Sequence, residues 1–138
     1  TAVEKIYICG ENSEYPPSSR IHKAAVGTEE WVAWEKRDTT VEVVRELKSK
    51  GVQVIAIEQD SKSIPYTLLS TKINTPVALV VGHETTGVSK EVLDKADLIV
   101  ELPMFGINKS INVWGSLAII SYKVIEYLIY KPYLHKKH

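Results

Sequence analysis

Along this chain the spacing of apolar positions switches repeatedly between about two and about 3.6 residues, which predicts strands alternating with helices. Val3 to Cys9 (VEKIYIC) alternates and is rich in β-branched residues, so it reads as a strand. Gly10 to Arg20 (GENSEYPPSSR) is polar, carries Pro16-Pro17 and reads as a loop. Ala24 to Trp34 reads as a short helix leading into a short strand at Trp31–Trp34. Thr39 and Glu42 have the spacing of a capping box. Val41, Val44 and Leu47 then recur at helical spacing, and Gly51 is the stop. Val52 to Ile57 is a strand. Ser61 to Tyr66 is a turn, with Ile64-Pro65-Tyr66 opening a short helix. Val77 to Val81 is apolar throughout, as in a parallel strand covered on both faces. Ser89 caps a helix through Lys95, Leu98 to Leu102 is the next strand, and a helix from about Asn112 to Tyr130 closes the order.

This alternation predicts an α/β fold, a mainly parallel sheet with helices on both faces. A chain of 138 residues is most simply one domain, here residues 1–130, with 131–138 a basic tail. Cys9 is the one cysteine, which excludes an internal disulfide and a cysteine-based zinc site; in its apolar run it reads as a buried thiol. Seventeen basic residues balance seventeen acidic ones, so no global field attracts nucleic acid and any RNA surface must be a local patch. No basic segment followed by an apolar block opens the chain, and a cytoplasmic setting is expected. Ile111 to Tyr130 contains Asn112, Ser116, Ser121, Lys123 and Glu126, so it reads as a buried amphipathic helix and not a membrane span. No metal site is expected.

Chemistry concentrates between Ala78 and Leu117. Gly82-His83-Glu84-Thr85-Thr86-Gly87 has the glycine spacing of a phosphate-binding loop, but Val88 stands where the lysine belongs, which rejects an NTPase. Glycines at the carboxyl end of a parallel strand still signal close backbone approach, and ligands of open α/β sheets sit at those ends. A tight turn before a capped helix needs the same residues. Leu102-Pro103-Met104-Phe105-Gly106 follows a second strand, and two such loops at neighbouring strand ends can wall one pocket. Exposed backbone groups there can read an adenine edge, with Pro103 and Met104 as apolar contacts. Ser110 and Asn112 open the last helix, where capping and a place beside the pocket are compatible readings.

GHETTGVS resembles the pattern G-N-E-x-x-G-[VL]-[SD], and LPMFGINKSINV resembles [IL]-P-M-x-G-x-x-x-S-L-N-V. These are the second and third motifs of the SpoU (TrmH) family of the SPOUT RNA 2′-O-methyltransferases. The pairing covers Val77 to Leu117 closely, and the preceding strands more loosely. The resemblance implies a C-terminal trefoil knot that binds S-adenosylmethionine, and methyl transfer to a ribose 2′-hydroxyl of tRNA or rRNA. It assigns cofactor contact to Leu79, Gly82, Leu102, Met104, Gly106 and Ile111, largely through backbone. It assigns the active site to Glu84, Ser110 and Asn112. It also implies a homodimer through the final helix, for which Trp114, Leu117, Ile120, Tyr122 and Leu128 supply apolar surface.

The chain departs from the family at three points. His83 stands where the family has Asn, as a turn residue or, less in keeping with the motif, a general base. Trp114 stands where it commonly has Ser, either at the dimer interface or crowding the pocket. The first motif, N-x-G-x-x-x-R-T-A, with its catalytic Arg, is not matched. Arg20 is the best in-chain substitute; Arg37 precedes the capped helix and Arg45 lies on its surface. Because the sequence opens at a strand without an initiating Met, a fragment of an active enzyme is expected. The alternatives are an Arg from a partner chain and an impaired or inactive knotted homodimer that binds RNA or cofactor without turnover. A generic α/β nucleotide-binding domain is the remaining reading.

Overall fold

The computed structural model describes residues 3–10, 30–108 and 111–134. The chain divides into two compact units, residues 1–43 and 44–138.

In the first unit, β1 (Lys5–Cys9) pairs in parallel with β2 (Ala33–Arg37), from Lys5 opposite Ala33 to Cys9 opposite Arg37. The strand expected at Trp31–Trp34 therefore begins and ends later. Its position is set by the five-residue register with β1, a long-range choice that local pattern does not record. Cys9 is half-buried, and burial pushes its thiol up, against the opposing pull of a Thr40 hydrogen bond and the Arg37 charge. The expected loop and the helix before Trp31 lie largely outside the described residues.

Helix α1 (Thr40–Ser49) starts where the capping box placed it: Thr39 Oγ1 accepts from the Glu42 N–H at 3.4 Å. It stops at Gly51, whose φ of +77° suits only glycine comfortably. In the second unit, β3 (Gln53–Ile57), β4 (Ile64–Pro65), β5 (Val77–Val80) and β6 (Leu98–Glu101) form a sheet in the order β4-β6-β3-β5. Every pairing is parallel. Among the described residues the strands thus form two parallel sheets, where one was expected. Pro65, unable to donate to a ladder, lies on edge strand β4. The short helix expected from Ile64 is a 3-10 helix at Tyr66–Thr71, entered through that strand.

Side chains alternate across β3. Ile55 and Ile57 join Leu69, Ile73, Val100, Leu102, Ile120 and Val124 in one apolar cluster. Val54 and Ala56 alternate to the other face and are also fully buried, as the apolar strand pattern requires. Helix α2 (Lys90–Lys95) is capped by Ser89, whose Oγ accepts from the Val92 N–H at 3.3 Å.

The closing helix α3 (Val113–Leu134) runs four residues beyond its expected end, taking Pro132 into its last turn and part of the expected tail into the helix. It was also expected to be buried. Ile120 and Val124 are in the core, but Trp114 is 70% exposed and Tyr122 68%, and Ile129 and Tyr130 are exposed as well. Val113–Pro132 is long and apolar enough to cross a membrane by length and composition alone. Its place against the 3-10 helix and the sheet cluster accounts for one apolar face.

Candidate functional site

Parallel pairing brings the carboxyl ends of β3, β5 and β6 side by side, and the chain leaves each strand at the same edge. Glu58 and Gln59 follow β3, Val81 and Gly82 follow β5, and Leu102 follows β6. Together with Ile111, Asn112, Val113 and Ser116 from the start of α3, they line a cleft of about 300 Å³. This is the place where open parallel sheets take ligands.

The loop after β5 is folded tightly on itself. The Gly87 N–H donates to the His83 carbonyl at 2.8 Å, and His83 and Gly87 form an isolated antiparallel bridge. A Cβ on Gly82 would collide with the backbone of Gly87 and Val88, so this close approach requires glycine. Gly87 has φ +68°. His83 stands in for the family Asn as a turn residue: its Nδ1 accepts the Thr85 N–H at 3.1 Å and lies 2.9 Å from Thr85 Oγ1. An Asn side chain closes the same turn through its carbonyl oxygen. With Nδ1 accepting, the neutral ring carries its proton on Nε2.

Asn112 caps α3. Its Oδ1 accepts from the Trp114 N–H at 2.8 Å, and its carbonyl accepts from the Ser116 N–H at 3.0 Å. The cap fixes the orientation of the amide, and its NH₂ has no acceptor among the described residues. Capping and cleft position coincide in this residue.

Of the residues singled out in the sequence, Gly82, Glu84, Leu102, Ile111 and Asn112 line this cleft. Leu79 packs against the sheet core, while Met104 is half-buried, Gly106 is exposed, and none of the three is a lining residue. Ser110 lies outside the described residues. Trp114 is not in the lining, so it does not crowd the cleft. Phe105 and Ile107 of the intervening loop are 95% and 99% exposed.

Sequence reasoning missed Glu58, Glu101 and Ser116. Ser116 lies one helical turn after Asn112, a spacing that places both on one face and was available from the sequence. Glu101 and Glu58 end or follow strands, which is also a readable signal. Among the described residues the lining holds three carboxylates, Glu58, Glu84 and Glu101, and neither Lys nor Arg. Such a cleft suits a cationic or neutral ligand and disfavours a nucleotide phosphate. Arg37 is within 3.5 Å of Glu35, and Arg45 lies 3.6 Å from Glu91. Arg20 is outside the described residues. Among the described residues, no group of three His, Cys, Asp or Glu side chains is placed to hold a metal.

Solved proteins share this fold. The structure of the Aquifex aeolicus TrmH/SpoU tRNA modifying enzyme superimposes with a TM-score of 0.79 at 28% identity, over 94% of this chain and 64% of that one. The AdoMet-bound rRNA methyltransferase from Sinorhizobium meliloti has the same fold, with a TM-score of 0.80 at 24% identity, over 91% of this chain and 46% of that one. The tRNA (guanosine(18)-2′-O)-methyltransferase of Borreliella burgdorferi is 35% identical over 100 residues, 72% of this chain and 45% of that protein. The 23S rRNA (guanosine-2′-O-)-methyltransferase RlmB of Nitrosomonas europaea is 32% identical over 102 residues, 74% of this chain and 38% of that protein. The chain thus spans less than half the length of these curated relatives. The SpoU rRNA Methylase family model matches residues 1–122, taking in both glycine-bearing loops and the start of the closing helix, and the chain belongs to that family.

Proposed function

We propose that this chain is the cofactor-binding and catalytic part of an S-adenosylmethionine-dependent enzyme that methylates a ribose 2′-hydroxyl of tRNA or rRNA. One observation carries the reading: backbone turns at Gly82 and Leu102 and the entry to α3 at Ile111 meet in one cleft whose described lining holds carboxylates and neither Lys nor Arg. The relatives named for tRNA and rRNA 2′-O-methylation support the substrate class.

The lining fits the cofactor. Gly82 leaves its backbone bare, Ile57, Val81, Leu102 and Ile111 offer apolar contact to a nucleoside, and three carboxylates favour a sulfonium cation. When bound, S-adenosylmethionine supplies an electrophilic methyl group. The residues of this chain supply alignment: a hydroxyl held in line with the methyl needs little further assistance beyond loss of its proton. Glu84 lies in the lining with no partner among the described residues, and we assign it to the proton or to orientation of the hydroxyl. Asn112 offers its NH₂, and Ser110 completes the set assigned by the motif. An Arg from a partner chain would hold the neighbouring phosphate.

Two further features belong to this reading. The C-terminal segment threads through a loop to form the trefoil knot that the resemblance implies. The open apolar face of α3, with Trp114, Tyr122 and Leu128, is the homodimer surface. Residues 1–130 then act as one methyltransferase domain.

Incubating the protein with methyl-labelled S-adenosylmethionine and total tRNA or rRNA, followed by nuclease digestion and mass spectrometry, tests the activity. Label in 2′-O-methyl nucleosides is expected. Label in base-methylated nucleosides, or none in RNA, would refute it.

A further inference from the structure

We propose that Glu58 is a positioning residue that ties the Gly82–Gly87 loop to the end of β3 and thereby sets the wall of the cofactor cleft. The proposal rests on the cofactor reading above. Glu58 is 30 residues from the loop in sequence, and its carboxylate lines the cleft. Its Oε2 accepts from the Val88 N–H at 3.0 Å, and its Oε1 accepts from the Gln59 N–H at 3.0 Å. Each oxygen therefore fixes one backbone amide, one on its own strand end and one on the loop.

Gly87 is shaped to this contact. Its φ of +68° favours glycine, and a Cβ there would push the Glu58 carboxylate from its place against the Val88 N–H. The other bonds of the turn, from Gly87 N–H to the His83 carbonyl and from Thr85 N–H to His83 Nδ1, are internal to the loop. They fix its shape. The bond from Val88 to Glu58 reaches another strand and fixes its place. A hydrogen bond to a charged acceptor is stronger than one between neutral groups, which suits a fixed cradle. Glu58 need not touch the reacting atoms.

The test measures S-adenosylmethionine affinity by calorimetry and Val88 amide exchange by NMR in Glu58→Ala and Glu58→Gln. Glu58→Ala is expected to weaken affinity about tenfold, the scale of a lost charge-assisted bond. Val88 exchange should quicken in the ligand-free protein, and KM for RNA should stay unchanged. Glu58→Gln keeps one acceptor oxygen and should recover part of the affinity, and it serves if the alanine variant does not fold. Affinity within twofold of the parent in a folded variant, with Val88 exchange unaltered, would overturn the proposal. If the parent protein itself takes no S-adenosylmethionine, the cofactor reading fails, and Val88 exchange alone then decides whether Glu58 holds the loop.

Discussion

Gly82→Ala is expected to abolish cofactor binding while leaving a folded protein. The added Cβ would lie on the backbone of Gly87 and Val88, which cannot rotate aside as the end of a flexible side chain does. The loop must open, and the 2.8 Å bond from Gly87 N–H to His83 and the 3.0 Å bond from Val88 N–H to Glu58 are the first to go. Overpacking of this kind costs about 1–3 kcal/mol, small enough for the sheet core to persist. The cleft wall does not survive it, and affinity for S-adenosylmethionine should fall at least about 100-fold, since about 1.4 kcal/mol accounts for each factor of ten. Gly106→Ala is the matched control: its Cβ meets nothing within 4 Å, and affinity should stay within about twofold. Calorimetric titration of both variants, with circular dichroism as the folding check, reads the outcome. Equal affinities in the two would contradict the placement of the loop against the ligand.

The second large effect is on turnover. Glu84→Ala removes an exposed carboxylate that has no partner among the described residues, so its loss should cost almost nothing in thermal stability. If it accepts or orients the proton of the attacking hydroxyl, kcat should drop about 100-fold with cofactor affinity little changed. Asn112 cannot be tested in this way by alanine, because Asn112→Ala also removes the helix cap, at a cost of about 1 kcal/mol. Asn112→Asp keeps an acceptor for the Trp114 N–H and loses the NH₂ donor, and so separates the two roles. Unchanged kcat in Glu84→Ala would remove Glu84 from the reaction.

Local signals were legible in the sequence because their physics is local. Thr39, Ser89 and Gly51 mark helix ends through bonds or angles within a few residues, and the structure has them there. Burial on both faces was read from the apolar run Val77–Val81, yet β5 ends the described sheet with its four residues half-buried, and the deeply buried strand is β3 at its centre. The glycine loops marked strand ends where close backbone approach is possible, and the structure brings Gly82 and Leu102 into one cleft while Gly106 stays outside it. Where register decides, local pattern falls short: β2 takes its place from β1, and β4 is only the two residues that reach β6. The place of Glu58 at a strand end was readable, but its bond to the loop was not. Its meaning comes from an amide 30 residues away. His83 shows the converse. It departs from the family letter, yet its Nδ1 performs the turn-closing contact that an Asn oxygen makes, and the departure is conservative in chemistry.

Whether the two strand-end segments and the entry to α3 form a binding site for a sulfonium nucleoside is tested most directly by titrating S-adenosylmethionine into isotope-labelled protein and following backbone amides by NMR. The account predicts saturable shifts concentrated at Gly82–Val88, Leu102 and Ile111–Ser116. No shifts at millimolar ligand, or shifts centred on the separate hollow beside Lys62, Asp94 and Asp97, would contradict it.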